Sequence, residues 1–330
     1  MDMAFFILLV AAIVIYFSCE YFVNGVEWIG HQFNITKNAT GTILAAFGTA
    51  LPESIVTFVA VVFGNNPARK EIGIGAAIGG PLVLSTIAYG VVGLSFILKQ
   101  RNENIKFLSG RTEQSLKQDQ RWFLSIFIFK IALGLVAFVY KPWLGLLFLL
   151  AYVIYVFHEM NEKDDSEHPD YLEPLKFRPH ESNPPAKWAL LQTSLALALV
   201  FASSQVFVHY LEILGTEFGF SPQTMALLIS PVATELPETM NAIIWVRQGK
   251  HILALANISG AMMIQATVPS AFGILFTPWL LSKASIWGAA ITMLSILGLF
   301  LLLRKQALSP GRLMGFGLFY VLFAFGLWFI

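Results

Sequence analysis

The chain has little charge. Of its 330 residues only 12% are Asp, Glu, Lys or Arg, about half the roughly 25% of a soluble domain. That scarcity excludes a soluble globular protein, a disordered chain and a nucleic-acid binder. Cysteine is almost absent: the lone Cys19 cannot form an internal disulfide. Net charge is close to nil, +1 from 21 basic and 20 acidic residues, and specifies no charged partner. No small-residue cleavage site follows the first apolar run, which is therefore expected to be retained as a span. What is present is apolar: 56% hydrophobic residues and a mean hydropathy of +0.68, the composition of a polytopic membrane protein.

A bilayer core needs about 20 apolar residues per helix. This rule predicts ten spans, near 3–23, 39–63, 72–98, 122–140, 142–158, 188–209, 223–246, 250–276, 284–303 and 313–330. The stretch 159–187, with His168-Pro169-Asp170 and Asn183-Pro184-Pro185, reads as a linker between a first half, 1–158, and a second, 188–330. Its acids Asp164, Asp165, Glu167 and Asp170 read as a solvated connector rather than a regulatory Ca²⁺ site. Loops on the side of the amino terminus hold four basic residues, Arg69, Lys70, Lys141 and Lys283, against 16 on the other side. The positive-inside rule then puts the linker in the cytoplasm and both termini outside.

Shifting the sequence by 185 residues superposes the halves. Phe22, Val23, Glu27, Gly30 and Phe33 fall on Phe207, Val208, Glu212, Gly215 and Phe218. Thr49, Leu51, Pro52 and Glu53 fall on Thr234, Leu236, Pro237 and Glu238. Each half has five expected spans, an odd number, so the copies are expected in opposite orientations. Inverted repeats with interrupted helices place transporter sites near the membrane midplane.

Glu53 and Glu238 fall deep in their expected spans. An acid there costs about 2.5–3.5 kcal/mol on insertion scales unless it is protonated, paired or bound to a cation. Pro52 and Pro237 cannot donate to the helical ladder, so carbonyls near Gly48 and Ala233 are freed. Thr49 and Thr234 precede the glutamates by four residues, on the same helical face. Carboxylates, carbonyls and hydroxyls form a hard-oxygen set that suits Ca²⁺.

At these residues the chain resembles the calcium/cation antiporter superfamily, which includes sodium/calcium exchangers. The family pattern is Gly-Thr-Ser-x-Pro-Glu in each repeat, followed one helix later by Gly-Asn-x-x-Gly-Ser-Asn. Gly48-Thr49-Ala50-Leu51-Pro52-Glu53 matches the first motif well and Ala233-Thr234-Glu235-Leu236-Pro237-Glu238 more loosely. Tyr21-Phe22-Val23-Asn24-Gly25 is similar to the end of the family's first helix. The resemblance implies an all-α integral membrane fold of ten helices in two inverted five-helix repeats. It implies alternating access, with Glu53 and Glu238 binding the metal while the first and sixth spans slide across the rest. The chain departs from the pattern at Pro81 and Met262, which stand where the family has Asn. Glu235 replaces a serine and is a further carboxylate candidate, with Asn257 and Gln265 as secondary ones.

The expected function is exchange of Ca²⁺, or a similar divalent cation, against Na⁺ or H⁺. A passive channel and a transport-inactive structural protein are the alternatives. An intramembrane enzyme is disfavoured, since neither His-Glu-x-x-His nor Gly-x-Ser-x-Gly occurs. No cofactor and no nucleic acid are expected; the partners are divalent and monovalent cations and the lipid bilayer, in a prokaryotic inner membrane. The oligomeric state stays open. Lys130, within a span, is expected to be structural, either snorkelling or pairing with an acid. Glu20 and Asn24 are equally suited to gating or interfacial anchoring, and His209 is read as interfacial.

Overall fold

The computed structural model describes residues 2–63, 67–100, 110–161, 172–217, 219 and 230–330. A few side chains within these helices, among them those of Glu53 and Glu212, lie outside the described residues. All regular structure described is helical. The helices are α1 (Asp2–Gln32), α2 (Lys37–Ala39), α3 (Ala46–Val62), α4 (Pro67–Val83), α5 (Tyr89–Gln100), α6 (Gly110–Gly134) and α7 (Gly145–Asn161) in the first half. After the linker come α8 (Ala186–Glu217), α9 (Ser230–Thr234), α10 (Leu236–Gln248), α11 (His251–Phe276), α12 (Lys283–Arg304), α13 (Pro310–Met314) and α14 (Gly317–Leu327). π-Helical turns Thr40–Ala45 and Leu84–Ala88 join α2 to α3 and α4 to α5. Helices suit the sequence because hydrocarbon offers the backbone no partner, and a helix satisfies its own polar groups.

Seven described helical stretches are long and apolar enough to cross a membrane: Met3–Gln32, Gly73–Lys99, Lys141–Asn161, Ala186–Phe207, His251–Phe276, Lys283–Arg304 and Pro310–Leu327. Of the other three expected spans, 39–63 follows α2, the π-turn and α3. The span 223–246 lies partly outside the described residues. The span expected at 122–140 is displaced: α6 begins at Gly110, inside the expected polar gap, and ends at Gly134. Its last carbonyls are taken from elsewhere. Leu281 N donates to Gly134 O at 3.1 Å and the Trp279 indole to Lys130 O at 3.1 Å.

α11 is the central helix. Every residue from Leu253 to Thr267 is buried, as an all-round apolar and small-residue helix requires. It packs against α3, α4, α6 and α7. At Gly260 a Cβ would stand 2.2 Å from the Thr42 carbonyl, so only glycine lets the segment leading into α3 lie this close. A polar network ties the neighbouring helices. Ser259 donates to Asp119 at 2.6 Å and Tyr155 to the other Asp119 oxygen at 3.2 Å. Glu159 accepts from Thr42 at 3.0 Å and from Asn38. Glu159, expected at the start of a solvated linker, is instead buried in the last turn of α7.

α1 packs along α8. The stretch 172–185 is not a loose connector either. Leu175 is fully buried against Trp28 and Ala189, and the linker backbone is bound by side chains of α1 and α8. The expected acids Asp164, Asp165, Glu167 and Asp170 lie outside the described residues.

Candidate functional site

The second Thr-x-Leu-Pro-Glu segment is a break in a helix. α9 ends at Thr234, Glu235 takes φ −87° and ψ 7°, and α10 starts at Leu236 with Pro237 in its first turn. Proline is tolerated there because the first turn has no helical acceptor for its missing N–H. The break falls at the proline-bearing segment of the expected span 223–246, and the kink stays bonded. Glu235 N donates to Pro231 O at 3.1 Å and Thr239 N to Glu235 O at 3.2 Å.

Three elements meet at this break. The Gln265 amide of α11 donates to Glu235 Oε1 at 2.7 Å. A Cβ on Gly80 of α4 would stand 2.3 Å from Gln265 Oε1 and 2.9 Å from Glu235 Oε1, so the glycine makes room for the pair. Glu235 and Glu238 are 0% and 1% exposed. The Asn257 amide donates to the Glu238 backbone carbonyl at 3.0 Å, and Cys19 of α1 reaches Pro237 O at 3.9 Å. The structure thus brings Glu235, Glu238, Asn257 and Gln265 to one buried polar region where α10 and α11 pack. Thr234 lies beside it, half-buried, its hydroxyl donating to Pro231 O at 3.1 Å.

On the first segment, Thr49 is buried and donates to Ala45 O at 3.1 Å, which leaves its oxygen lone pairs available. Glu53 lies on α3, but its side chain is outside the described residues. α3 and α10 both pack on α11, so one helix supports both segments.

Two buried polar residues lie within four positions of the motif glutamates without belonging to the motif. Asn241, one turn beyond Glu238, is fully buried with neither end of its amide hydrogen-bonded among the described residues. Thr57, four residues after Glu53, is buried with its hydroxyl likewise without a partner there. The Asn257 side-chain oxygen completes the set. Buried polar groups are nearly always hydrogen-bonded, so the partnerless oxygens of Asn241 and Asn257, on the helices that carry and contact Glu238, fit a cation that supplies the missing contacts. The signal was in the spacing: Asn241 and Thr57 repeat the glutamates' helical face at i+3 and i+4.

Among the described residues, Lys130 neither snorkels nor pairs with an acid. It is 0% exposed, and its amine donates to Ala77 O at 2.6 Å. The amine faces the rings of Phe127 and Trp279 at 5.0 and 5.9 Å. Ala77 is four residues before Pro81, so its carbonyl is the one that proline leaves without a helical donor. Lysine from α6 takes the place of the missing N–H. Asn24 serves as an anchor: its amide donates to Pro174 O at 3.3 Å, and its side-chain oxygen accepts from Lys176 N and Gln192. Glu20 pairs with Lys176 at 3.2 Å in a half-exposed bridge. His209 is exposed beside Tyr210.

A helical membrane bundle with buried acids at a proline-bearing helix break is an arrangement that suits cation transport. The family model described as sodium/calcium exchanger protein matches residues 3–160 and 188–330; the chain belongs to that family and is a cation antiporter by class. Among curated relatives it is 25% identical to "Putative antiporter CaxA" of Alkalimonas amylolytica, over 84% of this chain and 82% of the relative. It is 25% identical to the inner membrane protein YrbG of Escherichia coli, over 94% and 91%. Its fold matches solved structures of the sodium-calcium exchanger NCX_Mj, one of them soaked in Na⁺ without Ca²⁺, at a TM-score of 0.74 and 20% identity over 97% of both chains.

Proposed function

We propose that the chain is a secondary antiporter that exchanges Ca²⁺, or a similar divalent cation, against a monovalent ion by alternating access. Glu53 and Glu238 carry the divalent ion. Thr49, Thr234, Asn241 and Asn257 contribute oxygens, and Glu235 holds a third carboxylate in reserve through Gln265. The observation that carries the reading is the packing of buried, incompletely bonded oxygens beside Glu235 and Glu238, a hard-oxygen set that favours Ca²⁺ over softer metals. The ten-span plan with two inverted five-helix halves remains part of this proposal. So does the placing of both termini outside a prokaryotic inner membrane, which rests on the basic residues of the loops.

Of the two counter-ions, H⁺ is the better supported. Pro81 and Met262 remove two side-chain oxygens that a Na⁺ cluster would use, and Lys130 occupies the carbonyl that Pro81 frees. Proton coupling needs only carboxylates that can take up and release a proton.

The test is radiolabelled Ca²⁺ uptake into vesicles containing the purified protein, under an outward H⁺ gradient and then an outward Na⁺ gradient. Uptake driven by H⁺ and lost in Glu53→Gln and Glu238→Gln is expected. Drive by Na⁺ alone would reverse the choice of counter-ion. Uptake that needs no gradient and survives both substitutions would indicate the channel alternative and remove the proposal.

A further inference from the structure

We propose that Glu27, Lys250 and Trp245 form a latch on the linker side that must open in each transport cycle. The inference rests on the alternating-access reading above.

The latch joins two bodies. One is α1, α8 and the linker. Asn24 and Gln192 hold each other at 2.9 Å, Phe177 N donates to Gln192 Oε1 at 2.8 Å, and the Trp28 indole donates to Glu173 O at 3.0 Å. Side chains of two helices thereby bind the linker backbone and tie the three segments together. The other body is the bundle around α11. Among the described residues, the polar side-chain contacts between them converge on the end of α10 and its turn, apart from the weak approach of Cys19 to Pro237. Lys250 pairs with Glu27, the Trp245 indole donates to the other Glu27 oxygen at 2.6 Å, Arg247 donates to the Tyr16 hydroxyl, and Gln248 reaches Glu173 at 3.5 Å.

The turn is built to hold this geometry. Gly249 takes φ +82° and caps α10, a left-handed conformation that suits glycine. Lys250 N donates to Trp245 O at 2.8 Å and Gly249 N to Val246 O at 3.1 Å. The two residues that grip Glu27 are thus fixed relative to each other. The pair is also enclosed: the Lys250 and Glu27 side chains are 10% and 5% exposed. Elsewhere α1 meets the bundle through apolar contacts, such as Phe22 against Gly48. Apolar faces can slide past one another without breaking bonds. A buried ion pair with both carboxylate oxygens engaged cannot, because a charge left behind in a dry interface is strongly disfavoured. Glu27 and Lys250 therefore act as positioning residues that hold the linker side closed.

The experiment uses the full chain with Glu27→Cys and Lys250→Cys, joined by a reducible thiol crosslinker. The single-cysteine variants are treated identically, and Cys19 is fully buried. Crosslinked protein is expected to retain Ca²⁺ binding in detergent and to lose at least about tenfold of its vesicle exchange, with recovery on reduction; in energy that is roughly 1.4 kcal/mol. Unchanged exchange by crosslinked protein, with wild type active in the same vesicles, would overturn the latch. A silent wild type would instead sink the transport reading and the latch with it. A second measurement guards against misfolding of the cysteine pair. Glu27→Gln and Lys250→Met are each expected to shift the Ca²⁺ KM, and the exchanged pair Glu27→Lys with Lys250→Glu is expected to bring it back. An exchanged pair no better than the single variants would show a packing contact only and overturn the proposal.

Discussion

The segments Thr49–Glu53 and Thr234–Glu238 share threonine, leucine, proline and glutamate, yet they are built differently. The first lies within the continuous α3, preceded by a π-turn. The second is split at Glu235. The residue that differs within the motif, Ala50 against Glu235, stands at the split. Alanine suits the helix that contains it, whereas Glu235 leaves helical geometry with its carboxylate bonded sideways to Gln265. A repeated motif fixes which residue types recur in both halves. It does not fix how the backbone presents them, which depends on what the neighbouring helices offer.

The largest effect should come from removing what the segments share. Glu238→Gln is expected to lower Ca²⁺ uptake by about thirtyfold or more, since loss of one charged partner in a buried site costs roughly 2–5 kcal/mol. Removing what differs should do less. Glu235→Ala makes the second segment resemble the first; it should keep exchange but change the current carried per Ca²⁺ in voltage-clamped vesicles. An unchanged current would show that Glu235 does not take part in charge transfer.

Smaller effects test the supporting helices. Lys130→Met leaves the Ala77 carbonyl without its donor and should cost about 1–3 kcal/mol of stability, the price of a buried unsatisfied acceptor. Pro81→Ala added to it restores an N–H at the right place, so the double variant should recover most of the loss in thermal unfolding. Simple additivity would contradict the proline–lysine account. Asn241→Ala should raise the Ca²⁺ KM by about tenfold or less, in line with one neutral hydrogen-bonding ligand worth roughly 0.5–1.5 kcal/mol. An unaltered KM would place Asn241 outside the cation's reach.

Much of this was legible in the sequence because membranes impose simple rules. Long apolar runs give helices, and a buried glutamate next to proline announces a site. Glu238 could be picked out this way, and the family resemblance added Glu235, Asn257 and Gln265; the structure brings the four together. Lys130 could not be understood, because its partner is a backbone carbonyl 53 residues away. Its reason is a proline on another helix. Glu159 and the 172–185 stretch were misjudged for a related cause. A polar residue near a span end looks solvated until the helix that covers it is known. Thr42 and Asn38 cover Glu159, and Trp28 covers Leu175.

By itself the sequence determined that this chain resides in a bilayer, that its halves repeat, and which acids sit among apolar neighbours. Composition and spacing are local quantities and need no knowledge of what packs where. Only the tertiary structure decided that the second acidic segment is a kink, that a lysine substitutes for an amide, and that Glu27 meets Lys250 across 223 residues of chain. Each of those depends on two distant helices sharing one dry interface, where an unmet polar group is too costly to leave alone.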